Sequence, residues 1–150
     1  MKCILSLLLI MISACLTIAA GRGDFDRLSA EAAEKYSLPT HRGSQYAAKF
    51  SDWSTEPMLH ATEVCQSHPF SNRYCDIIAV VAADGHVRRL LFSPSNPYVD
   101  CIRKELRLSA VAPRPPADSW PVQVRLIDGP RPKYKGGDKP FIILSAGHVE

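Results

Sequence analysis

Four possible metal ligands lie close together in the middle of the chain. They form a His-x4-Cys-x2-His-x6-Cys series that consists of His60, Cys65, His68 and Cys75. Imidazole and thiolate groups are the ligands of structural zinc sites. The spacing is not that of a zinc finger, and disulfide formation competes for the same thiols in an exported chain. We therefore expect no resident metal and no cofactor.

Signatures of hydrolytic and phosphate-transfer chemistry are missing from the sequence. It contains no Gly-x-Ser-x-Gly elbow and no His-Glu-x-x-His pair. Gly136-Gly137 lies in a basic segment, but no Lys-Ser or Lys-Thr follows it as a phosphate-binding loop requires. We interpret His86, next to a predicted turn, as a solvent-facing strand residue. The sequence thus predicts a protein that is not an enzyme, with an enzyme of unrecognised type as an alternative.

The N-terminus has the pattern of a secretion signal. Lys2 supplies a positive charge, residues 4–12 are almost all apolar, and small residues follow. This run is too short for a stable membrane span. We expect the chain to be exported, to the periplasm or outside the cell.

Two cleavage sites compete within this signal. Cleavage after residues 1–20 would release a soluble chain that begins at about Gly21. The box at 12–15 instead matches a lipoprotein signal of residues 1–14, in which Cys15 would become the lipidated first residue of an outer-membrane lipoprotein. A membrane contact is expected only in the second case.

The mature chain has the size of one domain and a charge close to neutral. The whole sequence has 150 residues and a formal net charge of +3. Nucleic-acid binding requires a strong basic stripe. The nearly neutral charge of the mature chain argues against such a stripe. We therefore expect no nucleic-acid partner.

Three cysteines remain in the mature chain, namely Cys65, Cys75 and Cys101. An oxidising compartment favours one disulfide and leaves one thiol free. Cys75 opens the first predicted strand, the second strand ends beside it, and the next helix carries Cys101 in its second turn. This arrangement favours a bridge that ends at Cys101 and starts from Cys75 or Cys65.

Residues 21–66 have the periodicity of helices. Apolar residues at helical spacing predict a first helix over 24–36 and a second helical region over 43–66. We expect Pro57 to break or restart the second helix. An aromatic stripe at spacings of four and three should pack that helix on the sheet; it consists of Tyr46, Phe50 and Trp53.

Residues 67–150 change to the pattern of an α+β domain. The run 74–83 is apolar on both faces, which is typical of a central strand covered by helices. Asp84-Gly85 is a hairpin signal, and 86–93 alternate as a second strand.

A helix and a third strand complete the predicted unit. Asn96 is a suitable N-cap and Pro97 suits the first helical position. Residues 120–127 alternate cleanly, which predicts a half-buried antiparallel strand. The short apolar run 141–144 predicts a possible extra edge strand.

The segment from Tyr74 to Ile127 resembles the C-terminal domain of TonB and its relatives. In that family a strand ends in an Asp-Gly turn, and a second strand, a helix, a proline-marked segment and a third strand follow. Here the first strand is 77–81, and the Asp-Gly turn leads into the second strand over 84–87. The helix is 99–106, the proline-marked segment is 113–116, and the third strand is 122–124. The resemblance covers about a third of the chain. It implies an α+β fold with a small antiparallel sheet that recognises a protein through an edge strand.

The chain also departs from that family. The energy transducer has a retained membrane anchor and a long proline-rich spacer, which we do not find here. The tyrosine-proline pair before the first strand has no counterpart, because Cys75 follows Tyr74. The cysteine in the helix, Cys101, is similar to that of small exported relatives. Energy transduction is therefore not carried over.

The leading expectation is an exported cell-envelope protein that binds another envelope protein. A small periplasmic inhibitor or immunity factor is the alternative, in which the loop 130–139 would fill an active site. The four cations of that loop are more typical of a solvated segment; they are Arg131, Lys133, Lys135 and Lys139.

Overall fold

The computed structural model describes residues 22–68, 74–108, 111–127 and 142–145. Three helices and four strands are present within these ranges: α1 (22–36), α2 (Arg42–Val64), β1 (Tyr74–Val81), β2 (Val87–Ser93), α3 (Pro97–Glu105), β3 (Trp120–Ile127) and β4 (Ile142–Ser145). Helices thus precede a β-β-α-β unit, as predicted for an α+β protein. No helix in the described ranges is both long and apolar enough to cross a membrane.

The four strands form one sheet in the order β2-β1-β3-β4. β1 is antiparallel to both of its neighbours, and β4 pairs parallel with β3. β4 is the extra edge strand that the apolar run 141–144 predicted. The predicted signal with Cys15 and the basic loop 130–139 lie outside the described residues.

Helices cover both faces of the sheet. On one face, α2 and α3 enclose the main apolar core with β1 residues Cys75, Ile77, Ala79 and Val81. On the opposite face, Leu28 of α1 packs against Ile78 and Val80, which are the alternate residues of the same strand. β1 is therefore buried on both sides, as its continuous apolar sequence predicted. We refer to these as the α2/α3 face and the α1 face.

The prediction that β3 is half-buried is wrong. Seven of its eight residues are buried, and Arg125 is partly buried. Gln123 on the α1 face is buried because α1 covers it, and its side-chain oxygen accepts a hydrogen bond from the Ser29 hydroxyl of α1 at 2.7 Å. The alternating pattern was read correctly as a strand, but a helix covers the polar side.

The prediction that Pro57 breaks the second helix is also wrong. α2 runs without interruption from Arg42 to Val64. Proline in a helix interior loses one backbone hydrogen bond. Met58 and Ala61 follow Pro57 and are fully buried, so packing against the sheet offsets this loss. The aromatic stripe of α2 packs in the core on the α2/α3 face, as predicted, with Tyr46 and Phe50 buried and Trp53 partly buried.

The hairpin and α3 form as their sequence signals predict. Gly85 has φ of +89° in the turn, and the Asp84 carboxylate accepts a hydrogen bond from the His86 N–H at 2.9 Å. The Asn96 side chain caps α3 by accepting a hydrogen bond from the Val99 N–H at 2.9 Å. After α3 the chain returns to the turn, where the Ala112 N–H donates to the Gly85 carbonyl at 2.8 Å.

Candidate functional site

The candidate site is the outer edge of β2. This strand pairs with β1 on one side, and no other described strand pairs with its second side. An edge strand presents backbone N–H and C=O groups without ladder partners. Such an edge accepts an extended segment of another protein as an added strand.

An open groove runs beside this edge. β2 forms one wall, and the residues that follow α3 form the other wall. Its volume of about 460 Å³ lies within the ~300–1,000 Å³ range of ligand clefts. We define the groove as the space lined by these eight residues: His86, Val87, Arg88, Arg89, Leu90, Leu106, Arg107 and Leu108.

The groove combines an apolar side with a basic rim. Leu106 is buried, and Leu90 and Leu108 pack partly buried against the main core. Arg88 and Arg89 have side chains that are 63% and 49% exposed. These two guanidinium groups are therefore accessible from solvent.

Two arginines of the rim already hold carboxylates of this chain. Arg88 pairs with Asp84 at 3.0 Å, and Arg89 pairs with Asp24 of α1 at 2.7 Å. Arg107 instead donates to the Lys104 carbonyl. Within the described ranges Arg107 makes no ion pair with a carboxylate.

These contacts lower the pKa of both carboxyl groups. For Asp24 the main cause is the hydrogen bond from Arg89, followed by that from Arg27. For Asp84 the main cause is the hydrogen bond from the His86 backbone N–H, with a smaller contribution from the charge of Arg88. Both carboxylates are ionised at neutral pH. Arg88 and Arg89 are thus each paired with an exposed carboxylate of this chain, which an anion of a partner could replace.

The edge strand contains a β-bulge. The pairing is regular from Asp76–Ser93 to Val80–Arg89 and then shifts, so that Val81 pairs with Val87. Arg88 is the extra residue. Bulges and charged residues on an edge limit open-ended association of sheets. The regular stretch 89–93 is the part of the edge that can accept a partner strand.

The disulfide joins two of the three predicted cysteines. Cys65, directly after α2, is bonded to Cys101 of α3, with 5.8 Å between the Cα atoms. The bridge therefore ends at Cys101, and Cys65 is its partner. Cys75 is free and buried, and burial raises the pKa of its thiol to about 12. A thiol in this state is protonated and is a poor nucleophile.

The metal-ligand series is not brought together as a site. Cys65 is used by the disulfide, so it has no thiolate to offer a metal. Among the described residues, no group of three histidine, cysteine, aspartate or glutamate side chains is arranged to hold a metal ion. The inhibitor alternative depends on 130–139 and stays a prediction.

Sequence reasoning missed the groove itself. Its second wall forms only because the chain turns back after α3, which a local pattern does not reveal. One local signal of its basic rim is present in the sequence, because residues 86–93 contain Arg88 and Arg89 but no acidic residue.

Comparisons with protein-family models, curated proteins and solved structures found no match to this chain.

Proposed function

We propose that this chain is an exported cell-envelope protein that binds another protein by strand addition to β2. The observation that carries the proposal is the groove along an edge strand whose outer side has no strand partner among the described residues. The backbone of 89–93 would supply affinity through ladder hydrogen bonds, and the groove would select side chains.

Two further observations support this proposal. The N-terminal pattern favours export, and the Cys65–Cys101 disulfide is compatible with an oxidising compartment. The resemblance to the TonB C-terminal domain implies recognition through a sheet edge. The proposal takes from that family the mode of recognition and not energy transduction.

Site-specific photo-crosslinking in cells tests the location of the partner. A photo-reactive side chain replaces Ser93, a partly exposed residue of the edge, and the same group replaces Lys49, an exposed residue of α2, as the control. We expect one dominant adduct from position 93 that is missing from position 49. Identical adducts from both positions would contradict edge binding.

A peptide experiment tests the strand-addition geometry. Ten-residue segments are selected from a random display library against the purified protein, and the strongest binder is N-methylated at either its odd or its even positions. An added strand directs alternate N–H groups toward the edge. One methylated set should therefore abolish binding while the other retains it, whereas equal loss from both sets would exclude a ladder.

A further inference from the structure

The charges around the groove specify the kind of segment that fits it. From the proposed function, on which this step rests, we infer that the partner segment is extended and alternates acidic with apolar side chains. Successive side chains of a strand point to opposite faces of the sheet. The two faces of the β2 edge differ in chemistry, so one class of side chain meets each face.

The face that carries Arg89 selects the acidic side chains. Arg89 lies on the α1 face, because it pairs with Val80 in the sheet and with Asp24 on α1. The Asp24–Arg89 pair shows that a carboxylate reaches this guanidinium at 2.7 Å. Both members are substantially exposed, and exposed ion pairs exchange at small cost. A partner carboxylate can therefore replace Asp24 at this position.

The opposite face selects the apolar side chains. Leu90 follows Arg89 in the strand and packs toward the main core, where Leu106 and Leu108 lie across the groove. An apolar side chain of the partner would cover these three leucines.

The same charges disfavour a second copy of this chain as the occupant. Residues 86–93 carry Arg88 and Arg89 without any acidic residue. A second β2 edge would add two more arginines and no carboxylate, so it offers no counter-charge to Arg89. An acidic segment of another protein supplies that counter-charge.

The display selection described above also tests this inference. We expect the enriched segments to alternate glutamate or aspartate with apolar residues. Arg89→Gln should weaken their binding about tenfold, as loss of a charge-assisted contact predicts. Lys49→Gln removes one positive charge from the exposed surface of α2 and should leave binding unchanged. Replacing the glutamates of the peptide by glutamines should have the same effect as the Arg89 variant.

The other outcomes separate this inference from the proposed function. Neutral or basic segments that keep the one-sided effect of N-methylation would overturn the acidic partner and leave edge binding in place. No enriched segment, or segments insensitive to N-methylation, would overturn both. A crosslink from position 93 to a second copy of the chain would overturn the inference in favour of self-association.

Discussion

The two faces of the sheet are held by different kinds of interaction. The α2/α3 face has a large apolar core whose members include Phe50, Met58 and Ile102, all fully buried. A disulfide joins the two helices that cover it. The α1 face has a small apolar cluster of Leu28, Ile78 and Val80, with Phe25 and Leu91 at its margin.

Polar contacts provide much of the attachment on the α1 face. Ser29 bonds to the buried Gln123, and Asp24 pairs with Arg89. On the same face, but within the sheet, buried Asp76 of β1 accepts two hydrogen bonds from Arg125 of β3, at 2.6 and 2.8 Å, so this pair joins two strands and does not attach α1. Apolar burial is the main source of folding free energy, whereas exposed ion pairs contribute little. The α2/α3 face therefore determines whether the chain folds, and α1 is the more easily released cover.

The groove lies where the apolar α2/α3 face meets the more polar α1 face. Leu90 belongs to the α2/α3 side and Arg89 to the α1 side. A partner at the β2 edge would pack apolar side chains against the α2/α3 face. Its carboxylates would replace Asp24 in the ion pair with Arg89 on the α1 face. The contrast between the faces is thus also a contrast between the two halves of the proposed binding surface.

Ile102→Asp should have the largest effect. Ile102 lies on the buried face of α3 and is fully buried, and an unpaired charge there has no partner to offset its desolvation. We expect a loss of more than about 4 kcal/mol and no cooperative unfolding transition. Thermal melting by circular dichroism measures this, and a retained cooperative transition would contradict the placement of Ile102.

Leu28→Asp provides the matched variant on the α1 face. The same charge on α1 should release this helix, so that amides of 22–36 exchange quickly while those of β1 and β3 stay protected. Global unfolding by both variants would show that the two faces contribute equally to folding and would contradict the easier release of α1.

Removal of the disulfide should have the next largest effect. The sequence separation of 36 residues predicts a loss of about 3–4 kcal/mol in the Cys65→Ala, Cys101→Ala double variant, mainly through the unfolded chain. Urea denaturation measures the change. Cys75→Ala is the control, because it removes a buried sulfur without a crosslink and should cost about 1–1.5 kcal/mol.

Ser29→Ala should weaken the attachment of α1. The change leaves the side-chain oxygen of the buried Gln123 without its donor, which costs about 1–3 kcal/mol. Local hydrogen exchange in 22–36 should rise before global unfolding changes. The double variant Ser29→Ala, Gln123→Leu replaces both partners and should recover most of the loss; equal exchange rates in the two variants would refute this role of the bond.

Asp24→Asn should have the smallest effect, and its effect should depend on pH. Arg89 and Arg27 lower the pKa of Asp24 in the folded chain below its ordinary value of 3.8. The stabilisation is therefore present above that ordinary value and is lost as the pH falls through the folded pKa. Urea midpoints of the parent and the variant should differ at about pH 7 and converge as the pH falls below the folded pKa of Asp24. A difference that persists in acid would exclude the ion pair as its source.

The sequence predicted the elements whose signals are local. The apolar run of β1, the Asp84-Gly85 turn and the Asn96 cap each depend on neighbours along the chain, and each forms as predicted. Cys101 was identified as one end of the disulfide from the approximate path of the hairpin and helix. Its partner remained open because the position of Cys65 depends on how α2 packs.

The errors arose where distant parts of the chain decide the outcome. Pro57 is tolerated because the sheet holds the residues beyond it. Gln123 is buried because α1 crosses that face, which the alternation in β3 did not indicate. The groove depends on the return of the chain from α3 to Gly85. Of the features that form the groove, only the element order and the basic character of β2 are evident from the sequence.

The covalent loop closed by Cys65 and Cys101 contains the whole β1–β2 hairpin. Mechanical tension applied at β2 and resisted at the N-terminal helices would meet this loop. Two arms of the loop would share this tension, one from Cys65 to β2 and one from β2 through Cys101 and the disulfide. The arm between β2 and Cys101 is the shorter one, so it limits how far the edge can be drawn from α2. Reduction of the disulfide would leave only the longer arm, and a partner held at this edge could then extend the chain further.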